Sequence, residues 1–177
     1  GIVFAVIGSH KKENNPSVAD NQNNETTAEP TTEEETTTKV PTVEVDLMMI
    51  GDMLMHEGVV KSGLMDDGTY NFDHLYTNIA KDISSADIKI VNQETILGGS
   101  DFAYTGYPTF NSPWALGDAE VKAGFNIILH ATNHTLDKGL KGVENCLSFW
   151  KTYHPDTTVL GINETEEDYE NIYVYVK

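Results

Sequence analysis

The chain has 177 residues, with 28 acidic side chains, 11 lysines, no arginine, one cysteine and a formal net charge of −17. That length buries a core without a disulfide framework, which a single cysteine could not supply in any case. Binding to a phosphate backbone needs clustered Lys and Arg, so the charge excludes nucleic acid as a partner and disfavours an anionic membrane surface.

Residues 1–8, Gly1-Ile-Val-Phe-Ala-Val-Ile-Gly8, are almost wholly apolar, but too few to span a bilayer, which takes about 20. They read as the remnant of a signal peptide or membrane anchor, with a short buried strand as the competing reading. Residues 9–42 are dominated by Thr, Glu, Asn and Pro and contain no aromatic residue. Such a segment buries too little apolar surface to offset its ordering entropy, so it predicts a disordered stalk. An apolar end, Lys11-Lys12 and a Thr/Glu-rich stalk together predict an extracytoplasmic domain, membrane-anchored or secreted. Contact with the membrane is then through the N-terminal anchor alone. The stalk holds three lysines and seven acids; the other eight lysines and 21 acids fall in residues 43–177. The folded part is therefore acidic in its own right.

Structure is predicted to begin near Val43. Val43–Ile50 starts with alternation and turns apolar, as a buried strand does. Phe72, Leu75, Ile79, Ala80 and Ile83 recur at helical spacing and predict a helix over 72–84. Residues 87–91 read as a second strand and 96–112 as a long loop. Ser112 as cap and Pro113 in the first turn predict a helix that stops at Gly124. Phe125–Ala131 is the expected third strand. Leu140, Val143, Leu147 and Trp150 mark a helix over 139–152, with Cys146 beside the stripe as a buried, inert thiol. Residues 157–160 and 172–176 read as a fourth and a fifth strand. Strands alternating with helices predict an α/β fold with a largely parallel sheet.

In open α/β sheets ligands collect at the carboxyl ends of the strands. Three predicted strand ends are unusually polar. The first carries Gly51-Asp52 and then His56. The second carries Asn92-Gln93-Glu94. The third carries Thr132-Asn133-His134, with Asp137 just beyond. Mixed oxygen and imidazole donors suit hard or borderline divalent metals, and a two-metal site clamps a phosphate and activates a water. Each residue also has a structural reading: Asp52 as a turn former, His56 as a loop histidine, Asn92 as a backbone cap, Glu94 as a solvated acid, Asn133 and His134 in local bonds. His10, His74, His130 and His154 have no comparable setting. Met49, Met53 and Met55 read as core packing rather than soft-metal ligands. Asn24, Asn133 and Asn163 match the glycosylation acceptor pattern, although at Asn133 the metal reading explains the same residue.

Gly51-Asp52-Met-Leu-Met-His56, Asn92-Gln-Glu94 and Ala131-Thr-Asn-His134-Thr-Leu-Asp137-Lys-Gly139 resemble the three N-terminal motifs of the CapA-type capsule (poly-γ-glutamate) synthesis proteins. Phe110-Asn-Ser-Pro through Gly124-Phe-Asn extends the resemblance, which runs from about Val45 to Trp150 and more weakly to the end. It implies a metallophosphoesterase-like four-layer α/β sandwich. It also implies divalent metal ions, two of Mn, Zn, Fe or Mg, held by Asp52, Glu94, Asn133 and His134, with Asn92 and His56 beside them. Asn133 and His134 would serve catalysis as well, and a water bridging the metals would be the nucleophile in phosphoester hydrolysis. The implied partner is an anionic polymer or a phosphoester substrate. The alternative is a non-catalytic factor that binds or anchors an anionic polymer through bridging cations. The Asp-x-His pair of calcineurin-like enzymes is absent, since Asp52 is followed by Met53 and Leu54. Without residues 1–42 roughly 135 remain, fewer than the about 250 at the upper side of ordinary domain sizes. Residues 43–177 are therefore expected to be the N-terminal portion of such a domain.

Overall fold

The computed structural model describes residues 42–174 and 176. The expected anchor remnant and most of the expected stalk lie outside the described residues. The chain divides into two units, and one of them, residues 43–172, carries every regular element among the described residues. These are β1 (Leu47–Asp52), α1 (Glu57–Ser62), α2 (Ala80–Ser85), β2 (Ile88–Asn92), α3 (Trp114–Ala123), β3 (Ile127–Leu129), α4 (Gly139–Tyr153), β4 (Thr158–Leu160) and α5 (Glu166–Glu170).

The sheet is wholly parallel in the order β1-β2-β3-β4. This is the α/β fold that the alternation of elements implies. All carboxyl ends lie along one edge, because every strand returns through a crossover. One face of the sheet supplies Met48, Ile50, Val91, Ile128 and Val159 to a core with Ile83, Leu116, Phe149 and Trp150. The alternate residues Leu47, Met49, Ile88, Ile90, Ile127 and Leu129 point to the other face. Met55 is core, as expected. Met49 is not: it is half-exposed, because it stands on the edge strand, on the face away from the helices.

Several elements depart from the sequence reading. β1 starts at Leu47 rather than Val43: residues 43–46 are exposed and outside the ladder, and Asp46 bonds Asp87 and Ile88 at the entry to β2. The helix expected over 72–84 is broken into a 3-10 turn at Asp73–Leu75 and α2. Asn71 accepts from the Asp73 amide and so starts the turn, which the Tyr76 carbonyl hands on to Ile79 and Ala80. Ser112 does not cap α3. Its hydroxyl shares a 2.7 Å hydrogen bond with Thr95 Oγ1, and Pro113 holds the N-terminal position. Gly124 ends α3 at φ 109°, the left-handed conformation that favours glycine there. The fifth strand is not formed over 172–174, where Ile172 and Val174 are exposed without a ladder partner among the described residues.

α4 is rotated from the expected stripe. Its buried face is Gly142, Asn145, Cys146, Phe149 and Trp150, an i, i+3, i+4, i+7, i+8 pattern, whereas Leu140 is 75% exposed. Asn145 takes an inward position because its amide donates to Gly98 O (2.9 Å) and Asp101 Oδ2 (3.0 Å). With Asn111, which donates to Gly99 O and Phe102 O, and Trp114, which donates to Leu97 O, it pins the 95–112 loop. Cys146 is buried, and burial pushes its thiol up to about 12, so it stays protonated and inert.

Glu120 on α3 is fully buried and faces the Tyr76 hydroxyl, but no well-formed hydrogen bond joins the two. Burial raises its carboxyl well above the usual range, so it folds as the neutral acid. The folded state then binds this proton more tightly than the unfolded chain. Its contribution is fully present below the unfolded pKa and is lost as pH rises toward the folded one, by at most about 1.4 kcal/mol per pH unit. Glu120→Gln keeps the shape and loses this dependence. In urea denaturation its stability advantage over the wild type should grow from pH 5 to pH 8. A constant difference would assign the site another protonation state.

Candidate metal centre

The site is built at the carboxyl edge from the exits of β1, β2 and β3. Ile50 pairs with Val91, but Asp52 rather than Gly51 pairs with Asn92. Gly51 is thus the extra residue of a bulge, which re-aims the strand end. The result places Asn92 Nδ2 2.5 Å from Asp52 Oδ1, and the Met53 amide donates to Asn92 O at 2.8 Å. Asp52 itself is exposed.

The second arm joins β2 to the loop after β3. Thr132 Oγ1 donates to Glu94 O (2.6 Å) and accepts from the His134 amide (3.2 Å). The Glu94 side chain is thereby brought opposite His134, with Glu94 Oε1 4.0 Å from His134 Nε2 and both side chains largely buried. His134 Nδ1 lies 2.7 Å from Asp137 Oδ2, and the same oxygen accepts the Phe110 amide at 2.7 Å. A carboxylate oxygen only accepts, so Nδ1 carries a proton toward Asp137, and Nε2 is turned toward Glu94. Phe110 is buried and sets its ring edge-on to both His134 (centroids 4.5 Å) and His56 (5.3 Å).

The sequence-derived residues therefore fall into two pairs, Asp52 with Asn92 and Glu94 with His134. His56 is exposed, at the N-terminus of α1, with its ring against Phe110, and Asn133 is exposed on the loop between Thr132 and His134. Among the described residues, no three His, Cys, Asp or Glu side chains converge as a ready-made ligand cage. The donor chemistry still fits a divalent cation. A carboxylate and an imidazole nitrogen facing each other at 4.0 Å are both groups that ligate divalent cations, and Asp137 behind the ring orients it as carboxylates behind ligating histidines do. Sequence reasoning missed Asp137 and Phe110 as supports of His134. Asp137 lies in the quoted motif at i+3 from the histidine, and that spacing was the available signal. Phe110 is 27 residues from Asp137; the resemblance includes it, but no local spacing ties it to the histidine.

The parallel α/β sheet presents carboxylates, carboxamides and a carboxylate-oriented imidazole at its carboxyl edge, and the metallophosphatase-like class comes with its family. The family of the bacterial capsule synthesis protein PGA_cap matches residues 46–177, most of the chain, and the chain belongs to that family. No curated protein matches it.

Proposed function

We propose that this capsule synthesis family protein is a divalent-metal-dependent, phosphoesterase-like hydrolase acting on an anionic polymer or phosphoester at the cell surface, in capsule or poly-γ-glutamate metabolism. The observation that carries the reading is the Glu94 carboxylate facing His134 Nε2, with Asp137 behind the imidazole. Asp52, Glu94, Asn133 and His134 would hold the metal ions, Asn92 would orient Asp52, and His56 stands at the rim. When bound, divalent cations supply Lewis-acid charge neutralisation and lower the pKa of a water at the site. Asp137 keeps the His134 ring in one tautomer and one orientation, as carboxylates behind ligating histidines do. Phe110 closes the apolar side of that ring. Surface location rests on the apolar residues 1–8 and the stalk that follows; among the described residues no helix is long and apolar enough to cross a membrane.

A second reading, metal-assisted binding or anchoring of an anionic polymer without turnover, is favoured by the absence of an Asp-x-His pair after β1. Metal content and hydrolysis of an activated phosphodiester, measured on the full chain and on Asp52→Ala, decide the matter. Hydrolytic activity that depends on metal and is lost in the variant supports the enzyme. Metal-dependent retention of poly-γ-glutamate without turnover supports the binder. A wild type without metal affinity, indistinguishable from the variant, overturns both.

A further inference from the structure

We propose that Lys138 is a positioning residue: with Asp137 it clamps one peptide group of the 105–111 hairpin and so holds Phe110 against His134 and His56. The hairpin belongs to the loop between β2 and α3. It is closed at its base, where the Thr105 amide donates to Asn111 O (3.2 Å) and the Asn111 amide to Thr105 O (3.0 Å). That base is rooted in the core: the buried Asn111 side chain donates to Gly99 O, and the Ser112 amide donates to Ile96 O. The turn beyond it, residues 107–109, is exposed. Phe110, next to that turn, is 1% exposed, with its ring edge-on to one imidazole after β3 and one after β1.

The peptide group that joins Thr109 to Phe110 is gripped at both ends by consecutive residues at the start of α4. Its N–H donates to Asp137 Oδ2 at 2.7 Å, and its carbonyl accepts Lys138 Nζ at 3.1 Å. Lys138 Nζ also donates to Thr105 Oγ1 at 3.0 Å, and that hydroxyl donates to Thr109 O at 2.5 Å. Lysine has three donors and no acceptor, so one side chain serves both arms of the hairpin. A donor on the carbonyl polarises the peptide and strengthens its N–H toward Asp137. The oxygen that receives it is the one bonded to His134 Nδ1. On the other side Gly106 is buried against the start of α1, where a Cβ would lie 2.9 Å from Glu57 N. The hairpin therefore spans from His56-Glu57 to the His134–Lys138 loop, and Lys138 fixes it at the histidine end.

The test separates position from charge. Lys138→Met keeps most of the apolar stem and removes both bonds, whereas Lys138→Arg keeps donors at that end. Thr105→Val removes one acceptor from the hairpin side and leaves α4 untouched. Lys141→Met is the charge control: it removes the same formal charge three residues on, from a lysine paired with Glu144 on the surface. In the metal-free full chain, proton cross-relaxation should join the Phe110 ring to the His134 and His56 rings in the wild type, Lys138→Arg and Lys141→Met. It should be weakened in Thr105→Val and lost to at least one imidazole in Lys138→Met, while the amide resonances of β2 and β3 stay near wild type. The metal readout rests on the proposed function above: Mn2+ affinity by calorimetry should fall about 10-fold in Lys138→Met, the lower end of the range for partners behind a ligand. Ring contacts unchanged in both Lys138→Met and Thr105→Val overturn the clamp. So do equal losses of affinity in Lys138→Met and Lys141→Met, which would make the effect one of charge. A wild type that binds no Mn2+ overturns the metal reading alone, since the ring contacts still decide the clamp.

Discussion

Glu94→Gln should lower divalent-metal affinity by at least about 100-fold, because losing a ligand costs more than losing a partner behind one. The substitution is nearly isosteric. The backbone anchor at Glu94 O is untouched, since Thr132 binds the carbonyl and not the side chain. The side chain stays opposite His134 Nε2, which Glu94 faces at 4.0 Å. The metal-free variant should be about as stable as the metal-free wild type. What disappears is stabilisation by metal, worth about 2.7 kcal/mol when the free cation is at a hundred times its Kd. Thermal unfolding with and without Mn2+ checks both parts. An apo variant that unfolds much earlier would make Glu94 a structural residue. A variant that keeps the full metal-induced shift would remove it from the site.

Gly161→Ala should destabilise the domain by about 2–4 kcal/mol and disturb the site at the same time. Gly161 follows β4 with φ +94°, and a Cβ there would lie 2.6 Å from Ala131 Cβ and 2.9 Å from Ala131 Cα. Ala131 is the backbone between His130 and Thr132, so the loop that carries Asn133 and His134 has to move. Gly68→Ala is the matched control, with φ +84° but open space around it. It should cost only the left-handed strain, about 1 kcal/mol. Urea denaturation of the two variants separates strain from collision. Equal losses would mean that the β3 exit yields easily and that the loop is not held from this side.

Much of the scaffold was legible in the sequence. Strand and helix alternate in the order expected, Gly124 ends α3, and Cys146 is buried. The polar strand ends do lie along one edge, because parallel strands align their carboxyl ends whatever their side chains. Periodicity failed where a polar residue faced inward. Asn145 turns inward on α4 because Gly98 and Asp101, 47 and 44 residues away, accept its amide protons, and Leu140 is left in water. His130, next after the apolar run Ile127–Leu129, is buried as well, with its Nε2 accepting the Trp150 indole N–H.

By itself the sequence determined the acidic charge, the parallel α/β class and the residue types at the strand ends. Each of these follows from composition or from backbone periods that repeat every two or 3.6 residues. Only the tertiary structure decided the pairing: Asn92 with Asp52 across 40 residues, Thr132 with Glu94 across 38, Phe110 with Asp137 across 27. A buried polar atom must find a partner, and in a crossover fold the partner comes from whichever loop the sheet register sets beside it. That register belongs to the closed sheet, so no window of local sequence contains it.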